Sequence, residues 1–245
     1  MAASTGASTA AQAGKTERPV RIWDLPTRLF HWTLVVCVTG SVVSAKLGGN
    51  AMVWHFRFGY AIFALLAFRL AWGLVGGHWS RFASFFVTPA RLLAYLRGGG
   101  GDGAGADVGV GHNPLGALSV FAMLALLAVQ VGSGLFADDE IANSGPLVAL
   151  VSGATSSSLT SWHKSWGQWL ILGLIGLHIT AVLVYLWRMR QNLIRPMITG
   201  DKILSEPVRA SADGWRQRLL ALLLIGLGAG LVAAVVQLGS TGFGG

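Results

Sequence analysis

A chain of 245 residues that is 53% hydrophobic and only 11% charged, with a mean hydropathy of +0.60, carries less than half of the roughly 25% charge usual in soluble domains. Its net charge of +8 comes from Lys and Arg that flank apolar blocks; this is a membrane-topology pattern, and it excludes nucleic-acid binding as the reason for the charge. The one cysteine, Cys37, lies inside an apolar block, which excludes an internal disulfide, a thiolate-held iron–sulfur cluster and a C-x-x-C-H covalent haem site.

Residues 1–21 are rich in Ala, Ser, Thr and Gly and read as a disordered cytoplasmic tail. No short apolar region precedes the first span, so the tail does not read as a cleavable signal peptide. Five apolar spans follow at about 29–47, 53–75, 115–136, 163–187 and 219–238, each near the ~20 residues that cross a bilayer as helix. The predicted fold class is all-α, an integral membrane helical bundle. The link 48–52 makes the first two helices antiparallel neighbours. Thr88 and Pro89 form a good helix start. The segment PARLLAYLR at 89–97 then reads as a short interfacial helix, and 98–111 as a flexible Gly-rich linker. The loop 137–161 carries Asp138, Asp139 and Glu140, read either as a solubilising turn or as a docking patch for a basic redox partner. Residues 201–245 read as a linker and a fifth helix without His.

Orientation follows from the cations. Lys15, Arg18, Arg21, Arg28, Arg81, Arg91, Arg97, Arg188, Arg190, Arg195, Lys202, Arg209, Arg216 and Arg218 fall on one side, fourteen of the eighteen Lys and Arg. That side is expected to be cytoplasmic, with the N-terminus inside and the C-terminus outside.

Four of the six histidines, His31, His55, His163 and His178, sit in or at the ends of apolar helices, where polar groups are costly and usually functional. His163 and His178 are fifteen residues apart, a net rotation of only ~60° and a separation of ~22 Å on one helix. One helix thus offers an imidazole near each membrane face. Depth pairs His31 with His178 on the inner side and His55 with His163 on the outer side. Two bis-imidazole pairs suit two non-covalent haems of b type, whose iron then has no open position and serves electron transfer. Zinc, the competing use of paired His, usually wants four ligands with Cys or carboxylate help, and no intramembrane acid is present. Gly59 and Gly167 each follow an outer His by four residues, and are expected to leave room beside it or to serve ordinary helix packing. Arg69 lies fourteen residues after His55, ~21 Å deeper on nearly the same face; it either pairs with an inner haem propionate or snorkels to the headgroups. Arg57 and Lys164 stand near the outer end. His78 and His112 read as structural or solvent-facing, and the Trp near helix ends, Trp166 and Trp169 included, as interfacial belt.

Several stretches together resemble the bacterial cytochrome b561 family, related to the b-type cytochrome subunits of nickel–iron hydrogenases. They are VRIWDLPTRLFHW at His31, VWHFRFGY at His55, GHNPLGAL, GLFADDEIA, GPL, LTSWHKSWGQ at His163, GLHITAVLVY at His178 and LIRPMITGDK, spanning 20–202. The resemblance implies a four-helix core in 22–200 with two b haems, His31 and His178 matching the inner ligands and His55 and His163 the outer ones. It further implies electron transfer between membrane quinone and a redox partner, either a c-type cytochrome or a hydrogenase subunit, with superoxide as electron donor in one branch. The fifth helix falls outside that core and reads as a peripheral or partner-docking element. Two other functions compete: a superoxide:quinone oxidoreductase using the same haems, and a non-redox metal-ion transporter lined by His. The localisation expected is the bacterial inner membrane, with lipid and quinone as surroundings and no nucleic-acid partner.

Overall fold

The computed structural model describes residues 17–97 and 110–241, so most of the N-terminal tail and of the Gly-rich linker lies outside the described residues. Helix α1, Leu25–Leu47, is started by Asp24, whose carboxylate accepts from the Thr27 amide at 2.8 Å, with Pro26 in the first turn. Gly48 and Gly49 reverse the chain with φ of +65° and +52°, a conformation only glycine adopts cheaply. Helix α2, Met52–Val75, then returns against α1. Gly40 of α1 lies against the ring of Phe58, and Gly73 of α2 against the ring of Phe82.

Beyond the C-terminal end of α2, aromatic-rich turns lead to α3, Pro89–Leu96, capped by Thr88 as expected and with no buried residue. Helix α4, Pro114–Leu135, is capped by Asn113. The fourth crossing is longer than its apolar stretch: α5, Gly153–Trp162, a five-residue π turn, His163–Gly167, and α6, Gln168–Trp187, run as one 35-residue rod. The sequence reading placed SSSLTS, 156–161, in the loop 137–161. Its hydroxyls are instead returned to the helix, Ser158 donating to the Ala154 carbonyl and Thr160 to that of Ser156.

The reading of 1–21 as tail also needs correction at its end. Arg18–Arg21 form strand β1, paired antiparallel with β2, Asp201–Leu204, which follows the short helix α7, Ile194–Thr199. Val20 and Ile22 are buried with Trp79 and Val110 in a small inner cluster. The partner strand lies far along the chain, so no local signal announces it. Asp213 closes this end, its side chain buried beside Arg21, Arg28 and Arg218, while Ser211 bonds the backbone of Arg21 and Ile22.

Helix α8, Trp215–Thr241, flanks the bundle and packs along α2. Among the described residues five helices are thus long and apolar enough to span a membrane, and the main core is built from Phe30, Cys37, Ile62, Leu65, Leu66, Phe68, Trp72, Leu127, Ile171 and Ala221. The protein is an all-α membrane bundle. Packing runs from α1 to α2 to α8 and from α4 to α6, with α2 touching α4; α6 has no comparable contact with α1 or α2. The helices that carry the paired histidines therefore stand apart.

Candidate functional site

His31 of α1 faces His178 of α6 with ring centroids 6.5 Å apart and planes at 57°. His55 of α2 faces His163, in the π turn, at 5.9 Å and 83°. A metal bound to one nitrogen of each ring at about 2 Å, with ring radii of about 1.2 Å, requires centroids roughly 6 Å apart. The π turn matters here: it absorbs about one residue of rotation, changing the offset between His163 and His178 from about +60° to about −40°.

In His55 and His163, the pair expected on the outer side, Nδ1 is tied to a neighbouring helix. His55 Nδ1 donates to the Ser41 carbonyl at 2.9 Å, with the Ser41 hydroxyl at 3.1 Å. His163 Nδ1 donates to the Gln130 carbonyl at 2.9 Å, with the Ser133 hydroxyl at 3.3 Å. A carbonyl can only accept, so Nδ1 carries the proton and Nε2 keeps a lone pair for a metal, the arrangement that orients metal-binding imidazoles. On the inner side His31 Nδ1 is buried without a hydrogen-bond partner. Among the described residues no three His, Cys, Asp or Glu gather as a metal cluster. The histidines come in twos, which suits a metal that brings its own equatorial donors, as haem iron does.

The glycines divide. A Cβ on Gly59 would meet nothing within 4 Å, so its side of α2 is open space. A Cβ on Gly167 would run into the Gln130 side chain and lie 2.9 Å from Trp162 Nε1, so Gly167 serves helix packing and does not open room beside the pair. The glycine that seats His163 is Gly134 of α4, where a Cβ would lie 2.8 Å from His163 Cε1. Sequence reading passed over it, because its meaning depends on a ring twenty-nine residues away in the chain.

Arg69 is buried, 4% exposed, with its guanidinium 4.7 Å from the Phe82 ring centre and Nη1 lacking a partner. It does not snorkel. Nearby Asp24, fully buried, spends its oxygens on the Thr27 amide, Trp72 Nε1 at 3.2 Å and the Ser80 hydroxyl at 2.6 Å. Sequence reading gave this acid no role. Of the two placements expected for His112, the structure shows the structural one: it packs against Trp23 and Phe85 at 4.8 and 4.6 Å, with Nδ1 buried and unpartnered. At the outer end, Arg57 stacks over Trp54 at 4.9 Å and Lys46 over Trp169 at 5.9 Å, while Trp166 and Trp169 are 70% and 66% exposed, as belt residues are.

The outer acidic loop is largely self-occupied. Asp139 accepts from the amides of Ile141, Ala142 and Asn143 and from the Asn143 side chain, which holds its carboxyl well below the usual carboxylate range. Asp138 accepts from the Glu140 amide.

Comparison with known proteins gives one family, the prokaryotic cytochrome b561, whose model matches residues 22–200. The chain is 26% identical to a probable Ni/Fe-hydrogenase B-type cytochrome subunit of Cupriavidus necator, over 84% of this chain and 96% of the relative. The corresponding protein of Escherichia coli K12 is 23% identical over 73% of this chain and 88% of its own length. That of Azotobacter vinelandii is 25% identical over 78% and 92%. No solved structure matches significantly.

Proposed function

Because this chain belongs to the prokaryotic cytochrome b561 family, we propose that it is a dihaem b-type cytochrome that carries electrons across the bacterial inner membrane between quinone and a redox partner. The observation that carries the reading is the pair of facing imidazoles at each end of the bundle, 6.5 and 5.9 Å apart. His31 and His178 would hold the inner haem, His55 and His163 the outer one, with Gly59 beside the outer pair. Bis-imidazole haem iron changes its charge by one electron and leaves no position for a substrate. The protein's own part is to fix the rings. Ser41 and Gln130 lock the outer imidazoles in one tautomer and orientation, and the apolar helices around them exclude water.

The relatives that match are named as hydrogenase cytochrome subunits, which favours a hydrogenase over a c-type cytochrome as partner. A His-lined ion transporter is disfavoured by Nδ1 tethers that rigidify the outer pair and by the lack, among the described residues, of any third His, Cys, Asp or Glu beside either pair. A reduced-minus-oxidised spectrum with a haemochrome assay tests the proposal: two haems b per chain are expected. His31→Ala or His178→Ala should remove one spectral component, and His55→Ala or His163→Ala the other. Unchanged stoichiometry in His31→Ala and His55→Ala would sink the assignment.

A further inference from the structure

Two buried nitrogen atoms on the inner side have no hydrogen-bond partner, and they belong to different elements. Arg69 Nη1 comes from α2, and His112 Nδ1 from the residue that precedes the Asn113 cap of α4. They flank one aromatic patch. The Arg69 guanidinium lies on Phe82, Phe82 meets Phe85 at 6.0 Å, and Phe85 meets His112 at 4.6 Å. Leaving a buried donor or acceptor unpaired costs about 1–3 kcal/mol, and more for a charged one. The one carboxylate close by, Asp24, already has its oxygens engaged by three other donors. No ion pair of Arg69 occurs among the described residues.

Resting on the dihaem reading above, we propose that Arg69 and His112 together form a carboxylate-binding site, and that its ligand is a propionate of the inner haem. The chemistry is complementary. A carboxylate has two oxygens and about four lone pairs, and it suits one cationic and one neutral donor. His112 is neutral at pH 7, since burial, with Arg69 and His178 nearby, pushes its imidazole down to about 3, and a neutral ring has one N–H to give. Arg69 supplies the charge that a propionate in a low-dielectric bundle needs. His112 is thus assigned a positioning and anchoring role, and no ligation.

The test uses the full-length protein with His112→Phe, His112→Gln, Arg69→Leu and the double variant His112→Phe/Arg69→Leu. Haem content, a potentiometric titration and the propionate-bending region of the resonance Raman spectrum are followed together. His112→Phe should move the Raman propionate band and lower one of the two haem potentials, while both bis-imidazole haem spectra persist. His112→Gln keeps a donor and should remain near the parent; it also serves if the Phe variant fails to fold. Effects in the double variant should be less than additive, since both donors share one acceptor. Unmoved bands in His112→Phe, or equal shifts in the Phe and Gln variants, would overturn the anchor while leaving the dihaem reading intact. A shifted potential with an unmoved propionate band would also overturn it, because only the field would have changed. A parent protein without haem would overturn both.

Discussion

Gly134 and Gly59 look alike in the sequence and do opposite things. His163 cannot swing away from a new methyl at Gly134, since its Nδ1 is tied to the Gln130 carbonyl and the methyl would sit 2.8 Å from Cε1. Gly134→Val should therefore displace the ring and lower occupancy of the outer haem, leaving the inner one untouched. Gly59→Ala meets nothing within 4 Å in the protein itself, so the variant should fold and melt as the parent does. If a macrocycle lies beside His55, the same methyl should reduce haem content. Haem per chain set against thermal stability reads both, and a Gly59→Ala protein with full haem would remove Gly59 from the site. The four histidines were legible in the sequence because a titratable ring in an apolar span is conspicuous. Gly134, the Ser41 and Gln130 carbonyls and the packing of His112 on Trp23 and Phe85 were not, because each depends on what a neighbouring element presents.

Helix α1 begins where it does because Asp24 ties three elements together: its own first turn through Thr27, α2 through Trp72, and the turn at residues 78–80 through Ser80. Asp24→Ala would lose a cap worth about 1 kcal/mol and strand two buried donors at about 1–3 kcal/mol each. The expected loss is roughly 3–7 kcal/mol, seen as a fall of on the order of 10–20 °C in the thermal midpoint in detergent. Asp24→Asn keeps one acceptor oxygen and should fall between; an unchanged midpoint in Asp24→Ala would show the clasp to be idle. The outer loop gives a pH prediction. A depressed carboxyl such as Asp139 contributes stability that is fully present above the ordinary carboxylate value near 3.9. That contribution is lost only as pH falls through the lower folded value. Loop protection in hydrogen exchange should therefore persist from pH 7 to pH 5 in the parent and be absent throughout in Asp139→Ala. Element positions were largely readable from apolar blocks and from the Thr88-Pro89 start. The start of α5 was hidden by hydroxyls that a helix can satisfy internally, and β1 by a distant partner.

Across the whole molecule, chain direction, charge and packing agree. Strand β1 and strand β2 pair although four crossings separate them, so both lie on one side, and that side holds most of the Lys and Arg. We therefore expect a reporter fused after residue 245 to be active outside the cytoplasm and one before residue 17 inside it; the reverse result would invert the inner and outer labels of the histidine pairs. Helix α8 lies beyond the family match at 22–200, and an apolar helix without His suggested a peripheral role. It flanks the bundle but is fastened along its length. Asp213 locks its approach, Ala221 joins the main core, Gly228 lies against the Ala64 carbonyl, and Gly239 reaches Pro146 of the outer loop. At Gly228 a Cβ would stand 2.9 Å from that carbonyl oxygen, and backbone on a helix inside a bundle cannot step aside. Gly228→Leu should push α8 off α2, which carries His55 and Arg69 but is also held by α1 and α4. The expected result is a lower thermal midpoint with both bis-imidazole spectra retained. Loss of the spectra at the temperature of assembly would instead mean that α8 is needed to place α2, and that the dihaem core is not complete in four helices.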